Sequence, residues 1–200
     1  MILMRDPDMV ALRRPYHPNN SARTRGCSPD RRRYGEPMAR AATPAIAALL
    51  TAGVPHEVLR YHHDPRAESF GDEAVAQLAE SAGVSPEQVF KTLVIAVPTG
   101  LAVAVLPVPY KLSLKAAAAA LGAARAEMAD PAAAERSTGY VVGGISPLGQ
   151  RKPLSTVVDD SVLAWDRVLC SAGKRGLQVA LAPADLVGLT GAVTADILAP

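Results

Sequence analysis

A glycine-rich segment at residues 136–149 is the feature that most constrains how this chain can fold. In the run Arg136-Ser-Thr-Gly-Tyr-Val-Val-Gly-Gly-Ile-Ser-Pro-Leu-Gly149, four glycines, a proline and two serines surround the apolar triplet Tyr140–Val142. Glycine permits sharp backbone bends and lets a ligand approach main-chain groups without an intervening Cβ. The pattern therefore favours a pocket wall whose N–H groups could polarise a carbonyl. Composition alone leaves open a glycine-rich surface loop that binds nothing.

Charge is divided unevenly along the chain. Residues 1–41 contain nine arginines and four acidic residues, for a net charge of +5, whereas residues 42–200 contain twelve basic and fifteen acidic residues, for −3. Proteins that bind nucleic acid unaided usually present a basic face. If the C-terminal region acts on a nucleic acid, we therefore expect it to depend on a partner.

The first 41 residues lack apolar periodicity and include the basic run Arg31–Arg33. This composition predicts a disordered basic extension at 1–41, followed by one domain at 42–200 that is large enough to bury a core. A nucleic-acid-binding arm is one interpretation of the extension. An unstructured or untranslated segment is the other, with Met38 marking its end.

Several patterns bear on the cellular compartment. No apolar segment of the secretory type follows the early arginines. The longest uncharged run, residues 92–110, contains three prolines and a glycine, which predicts paired strands rather than a membrane span. Of the two cysteines, Cys27 falls in the extension and Cys170 in a strand-like run, which is poor evidence for a disulfide. We therefore expect a cytoplasmic protein.

Helix and strand signals alternate after residue 42. Thr43-Pro44 predicts the start of a helix that ends at Gly53. Pro98-Thr-Gly100 separates two β-type runs and predicts a hairpin. Further helix starts are predicted at Ser113, Asp130 and Pro183, and further strands near residues 156–159, 167–171 and 177–181. Together these signals predict an α+β domain with a mixed, mainly antiparallel sheet surrounded by helices.

Lys91 is a candidate functional residue, because it interrupts the apolar run Val89–Val97. A charged side chain in such a run is costly unless it faces a pocket or water. The alternative is a lysine whose stem is buried and whose ammonium group reaches solvent.

Metal and nucleophile motifs are missing from the sequence. His62 and His63 are adjacent and would point to opposite faces of a strand, and no zinc-type spacing accompanies them. The four histidines all precede residue 64, and no Gly-x-Ser-x-Gly nucleophile motif occurs. We therefore expect no metal, no cofactor and no nucleophile supplied by the protein.

Five separated motifs occur in an order that resembles the YbaK/EbsC family of Cys-tRNA(Pro) deacylases, and the resemblance extends from about Thr43 to the C-terminus. The motifs are the glycine-rich segment together with Phe70-Gly-Asp-Glu73, Val89-Phe-Lys-Thr-Leu93, Arg125-Ala-Glu-Met-Ala-Asp130 and Gly173-Lys-Arg-Gly176. The resemblance implies a curved, barrel-like sheet and a trans-acting editing enzyme for Cys-tRNA(Pro), with Cys-tRNA(Cys) as a further substrate. The implied chemistry is attack of the substrate's own thiol on its ester carbonyl, which releases a thiolactone.

The resemblance also implies roles for individual residues. Lys91 would be the catalytic residue, anchoring the aminoacyl end and steadying developing negative charge. Tyr61 and Phe70 would line the aminoacyl pocket, or serve as ordinary core anchors, and the basic Lys174-Arg175 turn would hold a phosphate of the CCA end, or be a solvated hairpin turn. The full substrate-binding set is Tyr61, Phe70, Thr92, Gly143, Gly144, Ile145, Ser146, Pro147, Lys174 and Arg175.

The implied partners are aminoacyl-tRNA and prolyl-tRNA synthetase, with neither DNA nor membrane involved. Two other functions stay open at this point. One is an editing hydrolase for another small aminoacyl group, such as Ala, Ser or Pro, with water as the attacking group. The other is a module that binds tRNA or a synthetase without turnover.

Overall fold

A mixed β-sheet organises residues 43–62 and 70–200, the part of the chain that the computed structural model describes. The strands are β1 His56–Arg60, β2 Val89–Val97, β3 Gly100–Pro107, β4 Glu127–Met128, β5 Ser155–Asp159, β6 Val168–Lys174, β7 Leu177–Leu181 and β8 Val193–Ala195. The helices are α1 Pro44–Ala52, α2 Phe70–Ala82, α3 Leu114–Ala120, α4 Pro131–Thr138 and α5 Pro183–Thr190. The predicted basic extension at 1–41 lies outside the described residues.

Local signals start and stop the helices as predicted. The Thr43 hydroxyl accepts a hydrogen bond from the Ile46 N–H at 3.2 Å, and Gly53 ends α1 in the left-handed conformation with φ of 65°. The Asp130 carboxylate caps α4 by accepting from the Ala133 N–H at 2.8 Å. Each cap satisfies backbone groups that the first or last helical turn would leave unpaired.

The hairpin of β2 and β3 is the longest ladder in the sheet. Its pairing runs without interruption from Phe90 opposite Pro107 to Val97 opposite Gly100. The turn at residues 98–99 is the one predicted from Pro98-Thr-Gly100. This flank of β2 is therefore fully paired along its length.

The other flank of β2 is paired only at its ends. It is parallel to β6 through Val89 and Phe90, and antiparallel to β4 through Ile95 and Ala96. Residues 91–94 have no ladder partner on this side among the described strands. The sheet therefore splits beside the middle of β2.

Strand order confirms the predicted fold class. The order is β1-β7-β6-β2-β3-β5-β8, with β4 on β2, and four of the seven pairings are antiparallel. In the described ranges no pairing joins β1 to β8, so the sheet is not closed into a barrel. No helix of these ranges is long and apolar enough to cross a membrane.

Candidate functional site

A cavity of about 590 Å³ lies at the split in the sheet. Its walls come from the middle of β2, the first turn of α2, the residues that follow β3, the start of α4 and the glycine-rich segment. This volume falls in the range of sites that enclose small organic ligands. The cavity therefore occupies the gap that opens where β2 and β6 stop pairing.

Lys91 brings a positive charge into this cavity, whose lining also includes Lys111 and Asp72. Its ammonium group donates hydrogen bonds to the carbonyl oxygens of Val108, at 3.0 Å, and of Tyr110. A lysine ammonium has three N–H donors, so one donor remains for a ligand. Burial lowers the pKa of Lys91, and the nearby Asp72 carboxylate acts in the opposite direction. In such a partly desolvated setting a charge acts on a ligand more strongly than in water.

The glycine-rich segment forms one wall, as its composition predicts, but most of its glycines serve packing. Val142, Gly143 and Ile145 line the cavity. Gly149 has φ of +61°, and a Cβ there would lie 2.4 Å from the carbonyl oxygen of Pro44 in α1. Only glycine allows this approach, so Gly149 fixes the end of the segment against α1.

The turn between β6 and β7 holds the wall from behind. The Arg175 guanidinium donates two hydrogen bonds to the Val142 carbonyl, at 3.0 and 2.7 Å. The Ser171 hydroxyl donates to the carbonyl of Gly144 at 3.1 Å. A Cβ on Gly144 would lie 3.0 Å from the backbone nitrogen of Arg175, so the two loops are in backbone contact.

The structure brings five of the predicted site residues together and places the others around them. The five that line the cavity are Tyr61, Lys91, Thr92, Gly143 and Ile145. Of the rest, Gly144, Ser146 and Pro147 are buried behind the wall, Lys174 is exposed on the β6–β7 turn, and Arg175 binds the Val142 carbonyl. Phe70 begins α2, but its side chain lies outside the described part of the chain.

Two buried polar atoms in cavity-lining residues lack a partner. Thr92 Oγ1 and Gln178 Oε1 make no hydrogen bond with any described residue. Buried polar atoms are nearly always paired, so an exception indicates strain or a missing ligand. Burial raises the pKa of Tyr61, while the Gln178 side chain, within hydrogen-bonding reach of the phenol, opposes that shift.

Sequence reasoning missed several cavity residues. Asp72, Tyr110, Met128, Ser171 and Gln178 all line the cavity. Gln178 could have been found, because it is the single polar residue in the otherwise apolar strand β7, all of which is buried. Asp72 and Met128 lie in two of the motifs that carry the family resemblance, whereas Tyr110 and Ser171 sit in surroundings that give no comparable signal.

The cavity holds no nucleophile and base of the protease or esterase type among its described residues. Neither histidine nor cysteine lines it. Cys170 is fully buried next to the site, and burial raises its pKa to about 12, so its thiol stays protonated. Within residues 43–62 and 70–200 no group of three His, Cys, Asp or Glu side chains could hold a metal ion.

The comparisons with known proteins agree with this geometry. The chain is 40% identical over 121 residues to the Enterococcus faecalis protein named "Putative Cys-tRNA(Pro)/Cys-tRNA(Cys) deacylase EbsC", an overlap that covers 60% of this chain and 74% of the relative. Among solved structures, it resembles one described as a "putative trans-editing enzyme for prolyl tRNA synthetase", with a TM-score of 0.67, 25% identity, and coverage of 82% of this chain and 100% of the other.

A second solved structure, described as hypothetical protein APE2540, also has a TM-score of 0.67 and 25% identity, covering 78% of this chain and 99% of the other. Residues 72–189 match the family described as the aminoacyl-tRNA editing domain, and this match includes Lys91, the glycine-rich segment and Gln178. On the family match and the extent of the 40% identity, this chain belongs to the aminoacyl-tRNA editing domain family.

Proposed function

We propose that this protein is a trans-acting editing enzyme that deacylates Cys-tRNA(Pro), and also Cys-tRNA(Cys), through attack by the substrate's own thiol. The substrate is the one that the relative's name gives, and the thiol mechanism is the one that the family resemblance implies. The carrying observation is a cavity with a partly buried ammonium group and with neither histidine nor cysteine among its described lining residues.

The hydroxyls of Thr92 and Ser171 have no histidine beside them in the described lining to activate them, which favours an attacking atom from the substrate or from water. In a cysteinyl ester the thiol lies two carbons from the carbonyl, and a cavity that folds the side chain back raises its effective concentration strongly. A new S–C bond forms while the C–O ester bond to the terminal ribose breaks. The thiol proton passes to the ribose oxygen, and the products are free tRNA and a cyclic thiolactone.

Lys91 supports this reaction electrostatically. Two of its N–H groups are directed at the carbonyls of Val108 and Tyr110, which leaves the third to donate to a bound ester. The charge steadies the negative charge that develops on the ester oxygens. The hydroxyl of Thr92, unpartnered among the described residues, supplies a further polar contact to the bound ester.

The tRNA body is bound mainly with help from a partner, for which we propose prolyl-tRNA synthetase in the cytoplasm. Residues 42–200 carry a net charge of −3, and phosphate contacts dominate the affinity of proteins for nucleic acid. Lys174 is exposed beside the wall and suits a phosphate of the CCA end. Arg175, which binds Val142, acts by holding the wall.

The test is a deacylation panel with catalytic amounts of enzyme on Cys-, Ser-, Ala- and Pro-tRNA(Pro), with and without the synthetase. We expect multiple turnovers on the cysteinyl ester, with little loss of the seryl ester, because a hydroxyl is a far weaker nucleophile than a thiol near neutral pH. Trapping the thiolactone would identify the thiol as the attacking atom.

Two results would contradict the proposal. Equal rates on the cysteinyl and seryl esters would indicate attack by water on a carbonyl held by the glycine-rich wall. Binding of tRNA without turnover on any ester would indicate a non-catalytic module.

A further inference from the structure

The amide of Gln178 is the strongest unexplained feature of the cavity. The residue is only 7% exposed, and its Oε1 has no hydrogen-bond partner in the described chain. It lies in β7, the strand between β1 and β6, where every residue is buried. A buried acceptor without a donor destabilises the folded protein, so the amide calls for an explanation beyond packing.

The neighbours of Gln178 do not satisfy it. Leu59 of β1 and Ser171 of β6 are its cross-strand partners. Leu59 is apolar, and the Ser171 hydroxyl donates to the Gly144 carbonyl instead. The Gln178 side chain makes a hydrogen bond to the Tyr61 phenol that lowers the pKa of Tyr61, as a donated amide N–H does, so Oε1 is left without a hydrogen bond in the described chain. The Oε1 atom of Gln178 is therefore a buried acceptor in a cavity-lining residue, and no described residue supplies a donor for it.

We propose that Gln178 determines specificity by accepting, through Oε1, a hydrogen bond from the free α-amino group of the aminoacyl ester. The inference rests on the proposed function. It makes Gln178 a selector for esters of unmodified amino acids, a role separate from that of Lys91 and from recognition of the side-chain thiol.

Matching donors to acceptors leads to this choice. The ester carbonyl and ribose oxygens are acceptors, and the Lys91 ammonium supplies the donor for them. The thiol has to stay free to attack the carbonyl. The α-amino group is the donor that remains, and the positive charge of Lys91 repels it towards another part of the cavity. A neutral amide oxygen accepts an N–H whether or not the amine is protonated.

Asp72 is the competing acceptor. It also lines the cavity, but its side chain is exposed and lies near Lys91. Solvent screening weakens an exposed carboxylate as an anchor. The buried Gln178 therefore carries the discrimination, and coupling of the amine to Asp72 in place of Gln178 would overturn the inference.

A cycle that changes both enzyme and substrate tests this directly. The substrates are Cys-tRNA(Pro) and 3-mercaptopropionyl-tRNA(Pro), which keeps the thiol and lacks only the amine. The enzymes are the wild type and Gln178→Met, with Gln178→Leu as a second variant of different shape and Asp72→Asn as the competitor. Differences in intrinsic ester reactivity are common to all enzymes and cancel in the cycle.

We expect removal of the amine to lower kcat/KM of the wild type by about ten- to a hundredfold, after correction for the difference in uncatalysed rate between the two esters. This is the usual cost of leaving a buried acceptor without a donor. In Gln178→Met the two substrates should be handled alike, and its loss on Cys-tRNA(Pro) should match the loss that the wild type shows when the amine is removed. Its thermal midpoint should change little, because the loss of the Tyr61 contact is opposed by removal of an unpartnered acceptor.

Gln88→Met is the matched control, because both the oxygen and the nitrogen of the Gln88 amide have hydrogen-bond partners outside the cavity. It accepts from the Ser85 N–H at 3.0 Å and donates to the Arg167 carbonyl at 3.0 Å. This variant should lose thermal stability and leave the preference for the amine intact.

The outcomes separate this inference from the proposed function. Should the wild type clear Cys-tRNA(Pro), but with equal losses on amine removal in wild type and Gln178 variants, the role of Gln178 is wrong and the editing activity stands. If the wild type clears no cysteinyl ester, the proposed function is wrong and the inference falls with it.

Discussion

The two flanks of β2 contrast within a single strand. Towards β3 it pairs through eight successive residues, Phe90 to Val97. Towards β6 and β4 it pairs only through Val89, Phe90, Ile95 and Ala96, and the cavity opens at residues 91–94 in between. Most side chains of the paired hairpin are apolar and buried, whereas the residues of β2 beside the split include Lys91, which lines the cavity, and Thr92, whose buried hydroxyl has no partner in the described chain.

This contrast shows how the fold separates stability from chemistry. A continuous ladder with buried apolar side chains supplies the packing free energy that holds β2 in place. Because the pairing with β3 already holds β2 in place, the residues on the opposite flank can be polar without loss of the fold. Variants on the two flanks should therefore change different measured quantities.

The largest effect is expected on the open flank. Lys91→Ala should lower the deacylation rate by about 10²- to 10³-fold, the usual cost of removing one donor that stabilises developing charge. Its unfolding midpoint should change little, because the released carbonyls of Val108 and Tyr110 lie beside the cavity, where water can replace the ammonium. Single-turnover kinetics and thermal unfolding measure the two quantities.

Lys115→Ala is the control, since Lys115 is an exposed lysine of α3 outside the cavity. It should leave both quantities unchanged. If a folded Lys91→Ala protein deacylates at the wild-type rate, the open flank of β2 does not supply the charge that catalysis needs.

Much of the fold follows from local signals in the sequence. The caps at Thr43, Ser113 and Asp130 and the turn at Pro98 each depend on a few adjacent residues, and the structure confirms the elements that they delimit. Strands β4 and β8 were not predicted. They are two and three residues long, and they exist because β2 and β5 offer them partners from distant parts of the chain.

The next largest effect is expected on the paired flank. Leu106 lies directly across the hairpin from Lys91 and is fully buried. Leu106→Ala should therefore cost about 3 kcal/mol of unfolding free energy through lost burial and the cavity left behind. Leu93 is the matched control, because it packs against the same apolar cluster as Leu106 but is only partly buried and lines the open cavity, so Leu93→Ala should cost clearly less.

Urea unfolding of the two leucine variants measures this difference. Equal losses would mean that the open flank carries as much packing as the paired one. The two flanks of β2 would then differ in their hydrogen bonding but not in their packing.

The candidate site was less predictable than the fold. The glycines of residues 136–149 indicated a wall, and Lys91 stood out as a charge in an apolar run. No sequence pattern could show that Arg175 would bind the Val142 carbonyl, or that the sheet would split beside β2. The contact of Arg175 joins residues that are 33 positions apart, and the split depends on how briefly β6 pairs with β2. Neither can be read from a few adjacent residues.

Two threonines test the flanks with a smaller change. Thr92 Oγ1 is buried without a partner in the described chain, whereas Thr156 Oγ1, in β5 beyond β3, donates to the Leu154 carbonyl at 2.9 Å. Thr156→Val should cost about 1 kcal/mol, while Thr92→Val should raise stability slightly, because it removes an unpaired hydroxyl. Chemical unfolding of both variants gives the sign, and a loss of stability in Thr92→Val would show that its hydroxyl is already satisfied.

The smallest expected effect is a displaced titration on the open flank. Burial lowers the pKa of Lys91 below the ordinary 10.5, so its ammonium group, and any rate that depends on it, is lost as pH rises through that lowered value. Between the folded and unfolded pKa values the unfolded chain binds more protons, so this group makes stability rise with pH in that window.

The ¹³Cε chemical shift of Lys91, identified by its absence in Lys91→Ala, measures the midpoint. Asp72→Asn should lower the midpoint further, since the Asp72 carboxylate favours the charged lysine. A Lys91 midpoint at or above 10.5 would place its ammonium in full contact with water and remove the desolvated charge on which the open flank depends.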